Sequence, residues 1–296
     1  MLLEMKNIYK SFGEKKVLRD ISISAGSGKA FGLLGRNGAG KTTSIRILMG
    51  VFPQDSGEIL LDGKPLDHTK VGMGYLPEER GLYPKKIIFD QLMYFAMLKG
   101  MKSADAEKAI DALLLRLGMS EYKFKRLDTL SKGNQQKIQL ITAIAHDPDI
   151  VILDEPFSGL DPVNAMLLKD VVKEEIAKGK IVLFSSHQMN YIEEFCDNIA
   201  ILCDGKIALS GDLHEIKRAY RRDKLEIFSR DADKIAAFYG DSAEKTGEND
   251  VILKLSSPDK KQSAMKELSE HFDIDGIRVH EPSLSDIFVE YAGAHI

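Results

Sequence analysis

Long hydrophobic runs are missing from this 296-residue chain, and cysteine is scarce. Apolar runs such as Ile150–Leu153 and Ile181–Phe184 are far shorter than a membrane-spanning helix, which needs about 18 apolar residues. Residues 1–10 lack the apolar stretch of a signal peptide. The two cysteines, Cys196 and Cys203, form neither a metal-binding nor a disulfide pattern. We therefore expect a cytoplasmic protein that neither spans a membrane nor enters the secretory route.

An excess of basic charge is also missing. The chain has 41 lysines and arginines against 45 aspartates and glutamates, for a formal net charge of −4. This balance argues against a nucleic-acid binder that depends on a strongly basic surface. With 44% hydrophobic and 29% charged residues, the composition excludes wholesale disorder. The length predicts one large domain and one small domain.

Hydrophobic patterns predict an α/β core for the large domain. Phe31–Gly35 is predicted to be a buried strand that enters a glycine-rich loop, with a helix following over Thr42–Met49. Ile150–Leu153 and Ile181–Phe184 have the continuous apolar pattern of strands buried on both faces of a parallel sheet. The helical pattern of Val163–Lys178 between these two strands completes a βαβ unit.

An antiparallel β layer and a helical insert are predicted to complete this domain, which we place at residues 1–215. Leu2–Tyr9 and Glu58–Leu61 have strand character, and Asp62-Gly63 has turn character. Helical patterns cover Phe89–Gly118 and Ser131–His146, within a helical subdomain at about residues 79–145.

Residues 216–296 are predicted to form a small α+β domain. The predicted elements of this region are Leu225–Phe228 (strand), Ala232–Tyr239 (helix), Ala243–Thr246 (weak strand), Val251–Leu255 (strand), Pro258–Phe272 (helix), Ile277–Val279 (strand) and Ser283 to about Ala292 (helix). Their order is the βαββαβ pattern of ferredoxin-like folds. No catalytic group of residues is evident here.

The glycine-rich loop is the strongest functional signal. Gly35-Arg36-Asn37-Gly38-Ala39-Gly40-Lys41-Thr42 fits the phosphate-binding pattern G-x-x-x-x-G-K-[ST], and Thr43 extends it. Its glycines let backbone N–H groups turn toward a phosphate. Lys41 can reach the β- and γ-phosphates, and the Thr42 hydroxyl can bind Mg²⁺. The pattern indicates nucleotide binding but does not distinguish kinases, GTPases and ATPases.

Two carboxylates and a histidine follow the later strands. Asp154 and Glu155 end the run Ile150–Leu153, beside the phosphate loop in a parallel sheet. Asp154 there can hold Mg²⁺, and Glu155 can polarise the water that attacks the γ-phosphate. His187 follows the neighbouring strand and can reach the same phosphate. A plain acidic turn and a structural histidine are the alternatives when each feature is taken alone.

In combination, these motifs resemble the ATP-binding subunits of ABC transporters. The family signature, Leu-Ser-Gly-Gly-Gln, corresponds to Leu130–Asn134, where Lys132 and Asn134 depart from it but Ser131 and Gly133 match. The family's D-loop corresponds to Ser158–Asp161, and His187 matches its switch histidine. The resemblance covers about residues 1–215.

The resemblance also implies an adenine platform and a third metal ligand. Phe12 matches the family's aromatic residue that stacks on adenine. Tyr9 is its rival for this role, but the glycine that follows Phe12 favours Phe12. Glu78 stands where the family usually has glutamine, and its carboxylate can still ligate Mg²⁺ or water. A solvated charged turn is the alternative interpretation of residues 78–80.

From the family we expect Mg²⁺-dependent ATP hydrolysis, with Glu155 as general base and Lys41 and His187 as further catalytic residues. Two copies, or one copy and a homologous subunit, would pair head-to-tail, so that Ser131, Gly133 and Asp161 contact the nucleotide bound by the partner. A membrane permease would bind near Arg80, Tyr83 and Pro84, which places the subunit on the inner face of the cell membrane. No nucleic-acid partner is expected.

Segments Tyr75–Tyr83 and Glu281–Phe288 resemble a bacterial exporter subgroup that includes sodium-extrusion, drug-export and peptide-export ATPases. Rival functions remain open at this point: a soluble ABC-type ATPase acting on ribosomes or DNA, or a nucleotide-binding regulator. For residues 216–296 we hypothesise a role in dimerisation or regulation.

Overall fold

The computed structural model describes residues 1–79, 81–220, 223–280 and 282–293, so Arg80 and Glu281 lie outside the described residues. The chain divides into two compact units. The first comprises Met1–Leu213 and the segment that begins at Phe288. The second comprises His214–Ile287.

A largely parallel sheet forms the centre of the first unit. Its strand order in the described part of the chain is β10-β9-β3-β8-β7-β6, with β9, β3, β8, β7 and β6 parallel and β10 antiparallel to β9. These strands are β3 (Lys29–Gly35), β6 (Met73–Leu76), β7 (Ile150–Asp154), β8 (Ile181–Ser185), β9 (Asn198–Cys203) and β10 (Lys206–Asp212). Every residue of β7 and β8 is buried, as their continuous apolar sequences predict. The carboxyl ends of β3, β7 and β8 therefore meet at one edge.

An antiparallel sheet of order β2-β1-β4-β5 accompanies the central sheet. Its strands are β1 (Leu2–Phe12), β2 (Lys15–Gly26), β4 (Ser56–Leu61) and β5 (Lys64–Pro65). The buried side chains of β1 and β2 pack into the same hydrophobic core as β3. The sequence analysis indicated β1 and β4 but missed β2, although Ile21–Ser24 alternates apolar and polar residues as a half-buried strand does.

The described helices of the first unit include those of the helical insert. They are α1 (Lys41–Leu48), α2 (Ile88–Leu98), α3 (Ser103–Arg116), α4 (Lys132–Ile144), α5 (Pro162–Ala177) and α6 (Met189–Phe195). The next helix, α7 (Leu213–Ala219), belongs to the second unit from His214 onward. The predicted helical stretch Phe89–Gly118 forms two helices, α2 and α3. It is broken after Leu98, where Gly100 takes a φ of +92° that ends the helix.

The second unit has the predicted ferredoxin-like topology. Its described elements are β11 (Lys224–Phe228), α8 (Ala232–Tyr239), β12 (Ala243–Lys245), β13 (Asp250–Lys254), α9 (Lys261–His271), β14 (Gly276–Val279) and the first residues of α10 (Leu284–Gly293). The antiparallel sheet has the order β12-β13-β11-β14. Leu225, Ile227, Val251 and Leu268 form its core together with Ile235. The fold class predicted for the chain is thus confirmed.

Across the described ranges, we find no helix that is both long enough and apolar enough to cross a membrane.

Candidate functional site: a phosphate-binding loop facing two carboxylates

The glycine-rich loop connects β3 to α1 and is shaped by residues with positive φ. Gly40 caps the start of α1 at a φ of +114°, which strongly favours glycine. A Cβ at this position would lie 2.6 Å from Leu18 Cδ2, so a larger residue would force the Leu18 side chain to move. The first turn of α1 contains no acidic residue, and its N-terminal N–H groups favour an anion.

Lys41 lies inside the loop rather than in solvent. Its Nζ donates to the carbonyl oxygens of Gly35 at 2.6 Å and Arg36 at 3.3 Å. Burial lowers the pKa of Lys41, whereas the negative charges of Glu155, Asp154 and Glu78 act in the opposite direction. A phosphate group that replaced the two carbonyl contacts would compensate the buried ammonium with negative charge.

Asp154 ends β7 and is buried with an exposure of only 4%. Burial raises the pKa of its carboxyl, with a further increase from the charges of Glu78 and Glu155 that Lys41 opposes. The hydroxyl of Tyr75 on β6 lies 3.4 Å from Asp154 Oδ2. Burial and the Asp154 charge raise the pKa of Tyr75 to about 12, so this hydroxyl keeps its proton. A cation near Asp154 would relieve the crowding of negative charge.

Glu155 is held by the segment that follows β8. One carboxylate oxygen, Oε1, accepts hydrogen bonds from the backbone N–H of His187 and contacts its Nδ1, both at 2.7 Å. The other, Oε2, accepts from the Ser186 hydroxyl at 2.9 Å. Glu155 is 6% exposed and has a φ of +51°, an uncommon conformation for a non-glycine residue. This conformation turns the carboxylate toward β8, so the general base predicted from sequence lies in contact with the predicted histidine.

Most of the predicted site residues line one cavity of about 1240 Å³. Those in its lining are Phe12, Gly35, Arg36, Asn37, Gly38, Gly40, Lys41, Thr42, Thr43, Glu78, Asp154, Glu155 and His187. Ala39 is not in the lining and is buried under the loop. Tyr9, the rival of Phe12, does not line the cavity either.

Three predicted contacts lie elsewhere in the described structure. Ser131 caps α4, its hydroxyl accepting from Asn134 N at 3.3 Å, and Gly133 is buried in the first turn of that helix. Asp161 caps α5 by accepting from Asn164 N at 3.0 Å. None of the three lines the cavity. Within one copy they are therefore capping residues or residues of a helix start.

Sequence reasoning missed several basic and polar residues of the site. Lys15, Lys16 and Arg19 line the cavity from β2. Their closely spaced positive charges after Phe12 were a visible signal, because a triphosphate is attracted to such a cluster. Ser186 and Tyr75 carried no sequence signal, since their roles depend on which strands are neighbours.

The oxygen donors near the loop suit a small hard cation. Across the described ranges, no three His, Cys, Asp or Glu side chains are arranged to enclose a metal ion. Thr42, Asp154 and Glu78 nonetheless offer a hydroxyl and two carboxylates in one cavity. Mg²⁺ commonly takes only one or two protein carboxylates and completes its shell with water and substrate phosphates. The donor set therefore fits Mg²⁺ bound together with a nucleotide.

Comparisons with known proteins match both units. Residues 18–158 match the family model described as ABC transporter, and residues 211–292 match the one described as ATP-binding protein DrrA1-3-like, C-terminal domain. The chain is 42% identical to the uncharacterized ABC transporter ATP-binding protein YhaQ of Bacillus subtilis over 295 residues, covering 99% of each chain. It is 31% identical to the Nod factor export ATP-binding protein I of Burkholderia lata over 303 residues, covering 98% of this chain and 97% of that protein.

A shorter match and a solved structure agree with these relatives. The linearmycin resistance ATP-binding protein LnrL of Bacillus subtilis is 34% identical over 214 residues, which cover 71% of this chain and 69% of that protein. A solved ATP-binding subunit of an ABC transporter superposes with a TM-score of 0.69 at 31% identity, covering 74% of this chain and 93% of that chain.

Proposed function

This chain belongs to the ATP-binding proteins of ABC transporters, and from that membership we propose that it powers export through a separate membrane permease. Binding and hydrolysis of ATP are the activity of the family. The observation that carries the proposal is the single cavity in which the phosphate loop faces Asp154, Glu155 and His187.

In this cavity different residues of the chain bind the phosphates, accept a proton and hold the metal ion. Loop N–H groups and Lys41 bind the β- and γ-phosphates and neutralise their charge. Glu155 accepts the proton of the attacking water, and His187 holds the Glu155 carboxylate through the contact at 2.7 Å. Thr42, Asp154 and Glu78 would hold Mg²⁺, which would supply positive charge to the phosphate oxygens.

For the dimer we propose a head-to-tail pair. Members of the family dimerise and work with membrane permeases. Ser131, Gly133 and Asp161 lie outside the cavity that holds the phosphate loop of their own copy. Ser131 and Gly133 belong to the start of α4, and the N–H groups of a helix N-terminus together with a hydroxyl can bind a phosphate. A second copy facing this surface would complete its own nucleotide site with these groups.

Export is the direction we propose, with ions such as sodium, drugs or peptides as the cargo classes. Two similar proteins support this direction: one is named for Nod factor export and one for linearmycin resistance. The permease would hold the subunit on the inner face of the membrane. Stimulation of the ATPase by DNA or ribosomes, without stimulation by any permease, would instead favour the rival soluble ATPase.

A second cavity, of about 300 Å³, is the proposed permease contact. Tyr75, Leu82, Phe95 and Gln139 are among its lining residues. Gln139 is 4% exposed, and both its Nε2 and its Oε1 lack a hydrogen-bond partner. A buried amide that makes no hydrogen bonds lowers the stability of the fold. A permease segment that inserts an apolar side chain into the cavity, with a hydrogen-bonding group next to it, would supply the missing hydrogen bonds to Gln139. Tyr83, next to this cavity in sequence, is largely exposed, as is Pro84.

Replacing Gln139 by leucine is expected to lower the ratio of permease-stimulated to unstimulated ATPase rate by about fivefold, the effect of one lost hydrogen bond. The fold should tolerate the change, since it removes two unpartnered polar atoms. ATPase assays with the permease in lipid vesicles give the ratio. Thr142→Val is the matched control, because the Thr142 hydroxyl lines the same cavity but already donates to Ile138 O. An equal ratio in Gln139→Leu and wild type would exclude this contact.

Removing the second unit, His214–Ile287, while keeping the segment from Phe288 that belongs to the first unit, tests the proposed dimerisation or regulatory role of residues 216–296. We expect the truncated chain to keep ATP binding but to form the ATP-dependent dimer at higher protein concentration, because part of the stabilising surface is lost. Sedimentation measures the dimer, and thermal unfolding verifies that the first domain remains folded. Unchanged dimerisation, ATPase rate and transport would contradict the role.

A further inference from the structure

Lys10 occupies an unusual place for a lysine near a strand end. Its side chain is only 12% exposed. The ammonium Nζ donates to Pro53 O at 2.6 Å and to Asp55 Oδ1 at 2.9 Å. The other Asp55 oxygen, Oδ2, accepts from the Ser11 backbone N–H at 2.7 Å. These contacts tie the end of β1 to the segment that precedes β4, about 40 residues along the chain.

The same ammonium lies against two aromatic rings. Nζ is 5.5 Å from the centroid of Phe12 and 5.7 Å from that of Phe52. The two rings are in edge contact, with centroids 5.4 Å apart and planes at 85°. Both Nζ distances are within the range of cation–π attraction. Phe12 is 50% exposed, so without these neighbours its ring would be free to change rotamer.

We propose that Lys10 is a positioning residue for the nucleotide base. It holds the Phe12 ring in the orientation in which the ring stacks on adenine. This inference rests on the proposed function, in which Phe12 is the stacking residue. Ordering a mobile aromatic side chain on binding weakens affinity, and a ring that is already held avoids this loss.

The experiment compares a nucleotide with a ligand that lacks the base. Lys10→Met keeps the length of the side chain but removes its charge and donors. We expect it to raise the KM for ATP about fivefold with kcat preserved at saturating ATP. Inhibition by inorganic tripolyphosphate, which has no base to stack, should keep its wild-type inhibition constant. Lys10→Arg retains a cation and donors and should restore most of the ATP affinity.

Matched variants separate this proposal from the one on which it rests. Lys6→Met, an exposed lysine on the same strand, is the control and should leave both constants unchanged. In a Phe12→Ala background, Lys10→Met should have no further effect on the KM, since the ring through which it acts is gone. If Phe12→Ala leaves the KM unchanged, stacking by Phe12 is wrong.

Two other results overturn the Lys10 proposal alone. If Phe12→Ala raises the KM but Lys10→Met does not, the ring is held without Lys10. If Lys10→Met weakens the binding of tripolyphosphate as much as the binding of ATP, Lys10 acts on the phosphates through its charge. Asp55→Asn provides an independent test, because it weakens the ionic hold on Lys10 without removing the lysine. It should raise the KM for ATP in the same direction, and an unchanged KM would contradict the proposed support.

Discussion

Replacing Glu155 by glutamine is expected to reduce the rate of ATP hydrolysis about 1000-fold, the usual contribution of a general base. The amide cannot accept the proton of the attacking water. Its geometry can otherwise be conserved: Oε1 can still accept from the His187 N–H, and the amide can donate to the Ser186 hydroxyl. Because Glu155 is buried, a neutral replacement of the same shape should leave the fold intact.

Phosphate release in single-turnover and steady-state assays measures this loss. ATP binding and ATP-dependent dimerisation should persist or strengthen, since the bound nucleotide is no longer consumed. Equilibrium titration with ATP measures the binding, and light scattering with ATP and Mg²⁺ measures the dimer. Glu270→Gln, an exposed glutamate in the second unit, is the control for charge removal and should hydrolyse ATP at the wild-type rate. Full turnover by Glu155→Gln would exclude the general-base assignment.

Replacing Lys41 by alanine is expected to weaken ATP binding about 100-fold, the loss of hydrogen bonds from a charged donor. The structure adds a reason for a large effect. Asp154, Glu155 and Glu78 act electrostatically on Lys41, and without the ammonium they repel the triphosphate. Equilibrium titration with ATP measures the loss. Wild-type affinity in Lys41→Ala would show that the loop N–H groups alone bind the phosphates.

Mixing two defective variants tests the arrangement of the dimer. Lys41→Ala and Ser131→Ala should each hydrolyse ATP poorly alone. In a head-to-tail pair of the two variants, one site receives both defects and the other receives none. An equal mixture should therefore recover up to about one quarter of the wild-type rate, because half of the dimers are mixed and each has one intact site. No recovery would indicate that Ser131 acts within its own copy.

Local sequence determined the parts of the site whose residues adjoin one another in the chain. The phosphate loop could be predicted because its pattern spans only eight residues between an apolar strand and a helix. β7 and β8 were predictable for the same reason, as continuous apolar runs need burial on both faces. The helical stretch beyond Phe89 could be recognised as helical, but its break at Gly100 depends on a single backbone conformation.

Contacts between distant segments required the tertiary structure. Ser186 reaches Glu155 only because β7 and β8 are adjacent parallel strands, with Asp154 in register with Ser185. Lys10 reaches Phe52 and Asp55 only because β1 pairs with β4 and brings the intervening segment back to the strand end. Pairing of this kind is decided by the packing of the whole core, which no local pattern contains.

The phosphate loop and the acidic pair thus indicated from sequence the chemistry available to this protein. The sequence could also identify Glu155 and His187 as separate candidates. Only the tertiary structure shows that these two residues are in contact at 2.7 Å and that the Lys10 ammonium lies against the Phe12 ring. The physical reason is that residue types set which bonds can form, whereas distances between groups far apart in the chain are set by strand order and core packing.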